Sequence, residues 1–189
     1  MGKLLENLHI TLFIGLVLAI GLMMGFHPDS LPPVVILTWL HVWFGILWIG
    51  LLYYFNFVQI PTMPSIPAEL KPAIGKHIAP AALFYFRWAA LLTVLTGLIV
   101  AYLNGYEKEA LTFQPGFQLI GTGMWIALVM AFNVWFIIWP NQKRALGIVE
   151  ADDAAKAKSA RTAMLTSRIN TLLSIPMLYA MSAYNPLGG

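Results

Sequence analysis

The sequence predicts an all-α fold, an integral membrane bundle of about five transmembrane helices. Hydrophobic residues make up 59% of the chain and charged residues only 10%, against roughly 25% charged residues in soluble domains. The charged residues also leave five long apolar stretches between them. Because about 20 apolar residues in a helix cross the ~30 Å hydrocarbon core, each stretch is long enough to span a membrane.

Proline-rich and turn-forming segments separate these stretches. Four prolines from Pro61 to Pro72 predict an extended second connection, and Pro140 is expected to close the fourth helix, because proline interrupts helices. We therefore predict one transmembrane helical domain over residues 1–189. Its predicted spans cover residues 8–26, 34–58, 80–104, 118–140 and 166–185.

Lysine and arginine give the orientation, since they favour the cytoplasmic side of a membrane. One side carries only Lys108. The other side includes the basic segment 141–165, and its cations are Lys3, Lys71, Lys76, Lys143, Arg144, Lys156, Lys158 and Arg161. The pattern predicts a multi-pass protein of the cell's inner (plasma) membrane, with the N-terminus in the cytoplasm and the C-terminus outside it.

The composition also excludes several kinds of chemistry. The chain has no cysteine, which removes disulfides, thiolate metal sites and the covalent attachment of a c-type haem. The sequence contains no Walker loop, dinucleotide fingerprint or Ser-His-Asp arrangement. The cytoplasmic loops account for the net charge of +3, so the lipid bilayer, and no nucleic acid, is the expected partner.

His41 is the strongest candidate for chemistry. It lies about seven residues into the second predicted span, and an ionisable side chain at that depth is costly unless it has a partner or a function. Gly45, Trp48, Leu52 and Phe55 follow at helical spacing and share its face. We interpret the face as a haem b site, with His41 on the iron, Gly45 making room for the ring and Trp48 as a wall. The alternative is a structural histidine bonded to a backbone carbonyl, Ser or Thr.

Two further histidines form a second candidate metal site. His9 and His77 fall near the predicted cytoplasmic face, at similar depth, in or near the first and third spans. Neither has the predicted depth of His41.

Arg87 lies about seven residues into the third span, where a cation needs an anionic or carbonyl partner. It either snorkels to lipid headgroups or binds an anion, such as a haem propionate or a substrate carboxylate. Trp135 and Trp139 are interpreted as membrane-interface residues. Asn133 and Asn170 are predicted to be buried amides that hold helices together.

Three blocks of the sequence resemble the membrane domain of the PuuD-type urate oxidase (urate hydroxylase) family. They run from His41 to Phe57, from Phe86 to Gly97 and from Asn133 to Lys143. The resemblance implies more helices and a c-type cytochrome domain in other members, and we expect this chain to lack that cytochrome domain. The segment from His41 to Tyr53 is also similar to HemJ-type protoporphyrinogen oxidases, which implies a haem-binding histidine on a helix.

Two functions from different classes follow. The first is a membrane redox protein that binds haem b at His41 and passes electrons to an external acceptor, such as a cytochrome c. The second is a non-catalytic accessory or structural subunit of a larger respiratory or photosynthetic membrane complex.

Overall fold

The computed structural model describes residues 2–28 and 30–184, without the side chain of Lys3. Throughout these residues the chain forms helices and no strands, which confirms the predicted all-α class. In chain order the helices are α1 (Gly2–Leu5), α2 (Leu8–Phe26), α3 (Pro33–Ser65), α4 (Lys71–Leu103), α5 (Glu107–Leu111), α6 (Gln118–Ala145) and α7 (Asp153–Ala183).

Within the described residues, α2, α3, α4 and α6 are long and apolar enough to cross a membrane. This finding supports the predicted membrane bundle. Helix α7, which contains most of the fifth predicted span, has 31 residues, but its Ser, Thr, Asn and Arg side chains make it less apolar than these four. A fifth crossing and the orientation therefore stay predictions, and residues 185–189 lie outside the described part of the chain.

The helices are longer than their prolines predict. Helix α3 continues through Pro61 and Pro64, α4 already includes Pro72, and α6 continues through Pro140. The prediction of an extended second connection is therefore wrong, and the predicted end of the fourth helix at Pro140 is wrong as well.

Each of these three helices passes a proline by means of a π-helical segment. A proline has no N–H, and its ring clashes with the carbonyl four residues earlier in a regular α-helix. A π-helical turn is wider, because its hydrogen bond reaches back five residues. The three prolines are Pro61, Pro80 and Pro140. The backbone N–H of the residue before each proline makes that bond: Ile60 donates to Phe55 O, Ala79 to Ile74 O and Trp139 to Val134 O. We call these segments the proline-linked turns: Tyr54–Gln59, Ile74–Ile78 and Asn133–Ile138.

The chain divides into two compact units, residues 1–36 and 37–189. In the first unit, the side chain of Asn7 caps α2 by accepting hydrogen bonds from the backbone N–H groups of His9 and Ile10. Helix α2 is apolar on all sides, which is typical of a membrane span.

The core of the second unit is apolar where α3, α4 and α6 meet. The Phe55 and Phe86 rings pack edge to face, with their centroids 5.6 Å apart. The largest fully buried apolar side chains are Trp48, Leu52, Phe86, Met130 and Val134. Dense packing of this kind fixes how α3 lies against α4, and so positions His41.

Helix α7 enters the same core with polar side chains. Asn170 is fully buried; its amide donates to Met130 O at 2.9 Å and accepts from Asn133 Nδ2 at 2.8 Å. Farther along, the hydroxyl groups of Tyr53 and Ser174 lie 3.0 Å apart. The prediction that Asn133 and Asn170 hold helices together is confirmed.

Candidate functional site

The ring of His41 contacts the backbone of α4. Nδ1 lies 2.8 Å from Thr93 O, and Thr96 Oγ1 lies 3.4 Å from the same nitrogen. A carbonyl oxygen only accepts hydrogen bonds, so Nδ1 carries the hydrogen and Nε2 holds the ring's lone pair. Metal-binding histidines commonly have this arrangement, with a carbonyl on the nitrogen that does not bind the metal. A structural histidine would form the same bond, which is the alternative considered from the sequence.

Gly97 permits this contact, because it lies directly under the imidazole. A methyl group at residue 97 would lie 2.7 Å from His41 Cε1 and 2.9 Å from Nδ1. Separations this short do not occur between packed side chains, so any larger residue would push the ring away. The ring is therefore held between the Thr93 carbonyl and a helix surface without a side chain.

The rest of the predicted His41 face also turns towards the interior. A methyl group at Gly45 would touch Thr93 Cγ2 at 3.8 Å, and Trp48, Leu52 and Phe55 are buried. The shared face is thus confirmed, but α4 and the core occupy the space next to Gly45 and Trp48. Their direct contact with haem stays a prediction.

Arg87 packs on an aromatic ring. Its guanidinium carbon lies 3.4 Å from the centroid of the Trp139 ring, and Lys143 Nζ lies 5.7 Å from the same centroid. Cations at these distances are attracted to the face of an indole. Arg87 Nε and Nη1 are nevertheless buried and donate no hydrogen bond to any described residue. Two positive charges therefore share one indole.

Trp135 extends this contact by one turn of α6. Its indole N–H donates to Arg87 O at 3.2 Å, and its ring packs edge to face on Trp88 with centroids 5.6 Å apart. Trp135 and Trp139 thus hold α6 against α4, in addition to any role at the membrane interface.

The histidines of the second candidate metal site belong to different units, His9 to residues 1–36 and His77 to residues 37–189. Both side chains are exposed. Among the described residues, no group of three or more His, Cys, Asp or Glu side chains could hold a metal ion. A site that combines His9 and His77 stays a prediction.

Sequence reasoning did not identify Thr93, Gly97 or Trp139 as partners of the candidate residues. Thr93, Thr96 and Gly97 form a run of small residues, which is typical of close helix approach in membranes. Trp139 follows Trp135 by one helical turn, so both can face the same neighbour. These signals were present, but they do not say which helix they meet.

Comparison with protein families matches residues 109–186 to the family described as Urate oxidase N-terminal. The matched segment is somewhat less than half of the chain and contains α6 and α7, but neither His41 nor Arg87. It includes one of the three resembling blocks, residues 133–143. No curated protein and no solved structure matches the chain. The match supports urate oxidase-type family membership for this chain.

Proposed function

We propose that this chain is a membrane redox protein of the urate oxidase type, in which His41 ligates a b-type haem and electrons pass to an external acceptor. The family match supports the urate oxidase-like assignment, and the apolar helices support the membrane assignment. The hydrogen bond of 2.8 Å between His41 Nδ1 and Thr93 O carries the haem proposal, because it leaves the lone pair on Nε2.

The surrounding residues suit an axial ligand. The Thr93 carbonyl fixes the tautomer and the plane of the ring, and it raises the basicity of Nε2. Because Gly97 has no side chain, the ring lies directly against α4, which limits its rotation. Gly45 and Trp48 would act indirectly, by fixing the helix that carries His41. A haem held there would supply one-electron chemistry at its iron.

Arg87 is proposed to bind an anion, which is a lipid phosphate, a substrate carboxylate or a propionate. Its Nε and Nη1 groups are buried donors without an acceptor in the described part of the chain, and the Trp139 ring orients the guanidinium plane. Arg87 and Gly97 are ten residues apart, about 15 Å along a helix. An anion bound by Arg87 and a haem bound by His41 would therefore contact α4 at different positions along its length.

The proposal also includes the surroundings of the protein. We place it in the cell's inner (plasma) membrane with the N-terminus in the cytoplasm, on the basis of its Lys and Arg distribution. Its acceptor would be a cytochrome c or a larger membrane complex on the outer side.

An absorption spectrum of the purified full-length chain tests the haem proposal. We expect a Soret band and reduced α and β bands of b-type haem, which His41→Ala removes while circular dichroism still reports a helical protein. His27→Ala is the matched control, because His27 is exposed at the end of α2 and belongs to neither candidate site; its spectrum should be unchanged. Carefully prepared wild-type protein without haem absorbance would reject the proposal and favour the accessory subunit.

A further inference from the structure

A cavity of about 120 Å³ lies in the second unit, where α3, α4, α6 and α7 meet. Neither His41 nor Arg87 lines it. One water molecule requires about 10–15 Å³ of such space. The cavity therefore has room for a single small ring.

Two of the proline-linked turns line this cavity, and the third ends next to it. Gln59 ends the first turn, Ala79 directly follows the second, and Ile138 ends the third, and all three residues line the wall. Each turn by itself is explained by the proline that follows it. Their convergence from three helices is not explained by the prolines, and π-helical segments occur frequently at functional sites.

One residue of the cavity wall has a hydrogen-bond acceptor that no described residue uses. Gln59 lines the wall, and its Oε1 atom is buried without a donor. Close by, Asn56 Nδ2 donates to Leu52 O at 2.9 Å and to Ser167 Oγ, which lines the wall, at 2.8 Å. These two bonds fix the Asn56 amide and leave its Oδ1 buried without a donor as well. Buried acceptors without donors are costly, so a bound molecule that donates would be stabilised here.

We propose that this cavity binds a small uncharged ring that donates N–H or O–H groups. The lining contains no charged side chain, which disfavours ions. Phe55 and Phe86 supply an apolar wall for the face of a ring, while Gln59, Gln142 and Ser167 supply polar atoms. Uncharged rings with N–H donors include nitrogen heterocycles, which would enter from the aqueous phase. Uncharged rings with O–H donors include hydroquinones, which would enter from the membrane. The site does not depend on haem at His41.

Titration calorimetry on the full-length chain in lipid nanodiscs tests the proposal with two donor rings, xanthine and 1,4-hydroquinone. Each has a methylated counterpart without N–H or O–H donors, caffeine and 1,4-dimethoxybenzene. We expect saturable binding of at least one donor ring, and binding of its counterpart at least tenfold weaker. The ring that binds identifies the source of the ligand.

Two variants connect binding to the cavity. Gln59→Leu should weaken binding about tenfold without lowering the melting temperature, because it removes an acceptor that has no donor in the protein. Ala160→Phe should block binding, because Ala160 lines the cavity and is exposed at its edge. Gln114→Leu is the matched control, since Gln114 is exposed in the connection between α5 and α6; its binding should equal that of the wild type.

Two results would overturn the proposal. The first is the absence of saturable binding for both donor rings. The second is binding that neither Gln59→Leu nor Ala160→Phe weakens, which would place the ring elsewhere on the protein.

Discussion

The inner faces of α3 and α7 enter the same core with different chemistry. The α3 face consists mainly of large apolar side chains, among them Trp48 and Leu52, which are fully buried. The α7 face is built largely from small or polar side chains, among them Ser167, Asn170 and Ser174. Helix α3 is thus held mainly by packing, although Tyr53 and Asn56 are hydrogen-bonded to α7, whereas most of the buried face of α7 is polar or small.

This difference shows why α3 is apolar enough throughout to be identified as a span, whereas a crossing by α7 stays a prediction. In lipid, helices associate through packing and interhelical hydrogen bonds, because the lipid is as apolar as the side chains. A polar face is therefore acceptable inside the bundle if its groups are paired. The pairing of Asn170 with Asn133 meets this requirement, although it lowers the hydropathy of α7.

Truncating the α3 face should have the largest effect on stability. Trp48→Ala removes a fully buried side chain, and such changes cost about 3–5 kcal/mol. Trp43→Ala is the matched control, because Trp43 lies on the same helix and is 45% exposed. Reversible unfolding in detergent should show a much smaller loss for Trp43→Ala. Equal losses would mean that the α3 face is not the packed one.

Breaking the α7 hydrogen bonds should have the next largest effect. Asn170→Leu leaves Asn133 Nδ2 without its acceptor and removes one of the donors to Met130 O, at a cost of about 1–3 kcal/mol. Replacing both asparagines by leucine should cost less than the sum of the two single changes, because the unpaired amide disappears too. A double variant whose loss equals that sum would show that the two amides do not depend on each other.

The sequence predicted the α3 face well, because its large side chains follow helical spacing. It also predicted that Asn133 and Asn170 are buried amides. It did not predict the partner of His41, since Thr93 is 52 residues away and no local pattern states which helices meet. The prolines were predicted to end the helices, whereas the helices continue past them through the proline-linked turns. Whether a helix ends at a proline or forms a wider turn depends on its packing against neighbouring helices, which the sequence does not state.

His41 is one of the polar residues of α3 that contact another helix, and Gly97→Ala tests how closely it is held. The added methyl would lie 2.7 Å from His41 Cε1, so the ring must move and its bond to Thr93 should lengthen or break. We expect a loss of about 1–3 kcal/mol, as for other overpacked sites, together with weaker haem absorbance if His41 binds haem.

Gly50→Ala is the matched control for that change. Gly50 lies on α3, and a methyl group there meets nothing within 4 Å. Replacing a helical glycine at such a position should stabilise the protein by roughly 0.5–1 kcal/mol. If Gly97→Ala behaved like Gly50→Ala, the His41 ring would not be confined by α4.

The contact of Arg87 with Trp139 joins α4 to α6 and involves neither the α3 face nor the α7 face. Changing it should have the smallest effect on the stability of the protein without added lipid. The stacked guanidinium contributes about 0.5–2 kcal/mol, but its burial without acceptors opposes that gain. The stability of Arg87→Leu in neutral detergent should therefore lie near that of the wild type. Added anionic phospholipid should raise the melting temperature of the wild type most and of Arg87→Leu least, with Arg87→Lys between them, because Lys keeps the charge but loses the planar fork. Equal shifts in all three proteins would show that Arg87 only packs on Trp139 and binds no lipid anion.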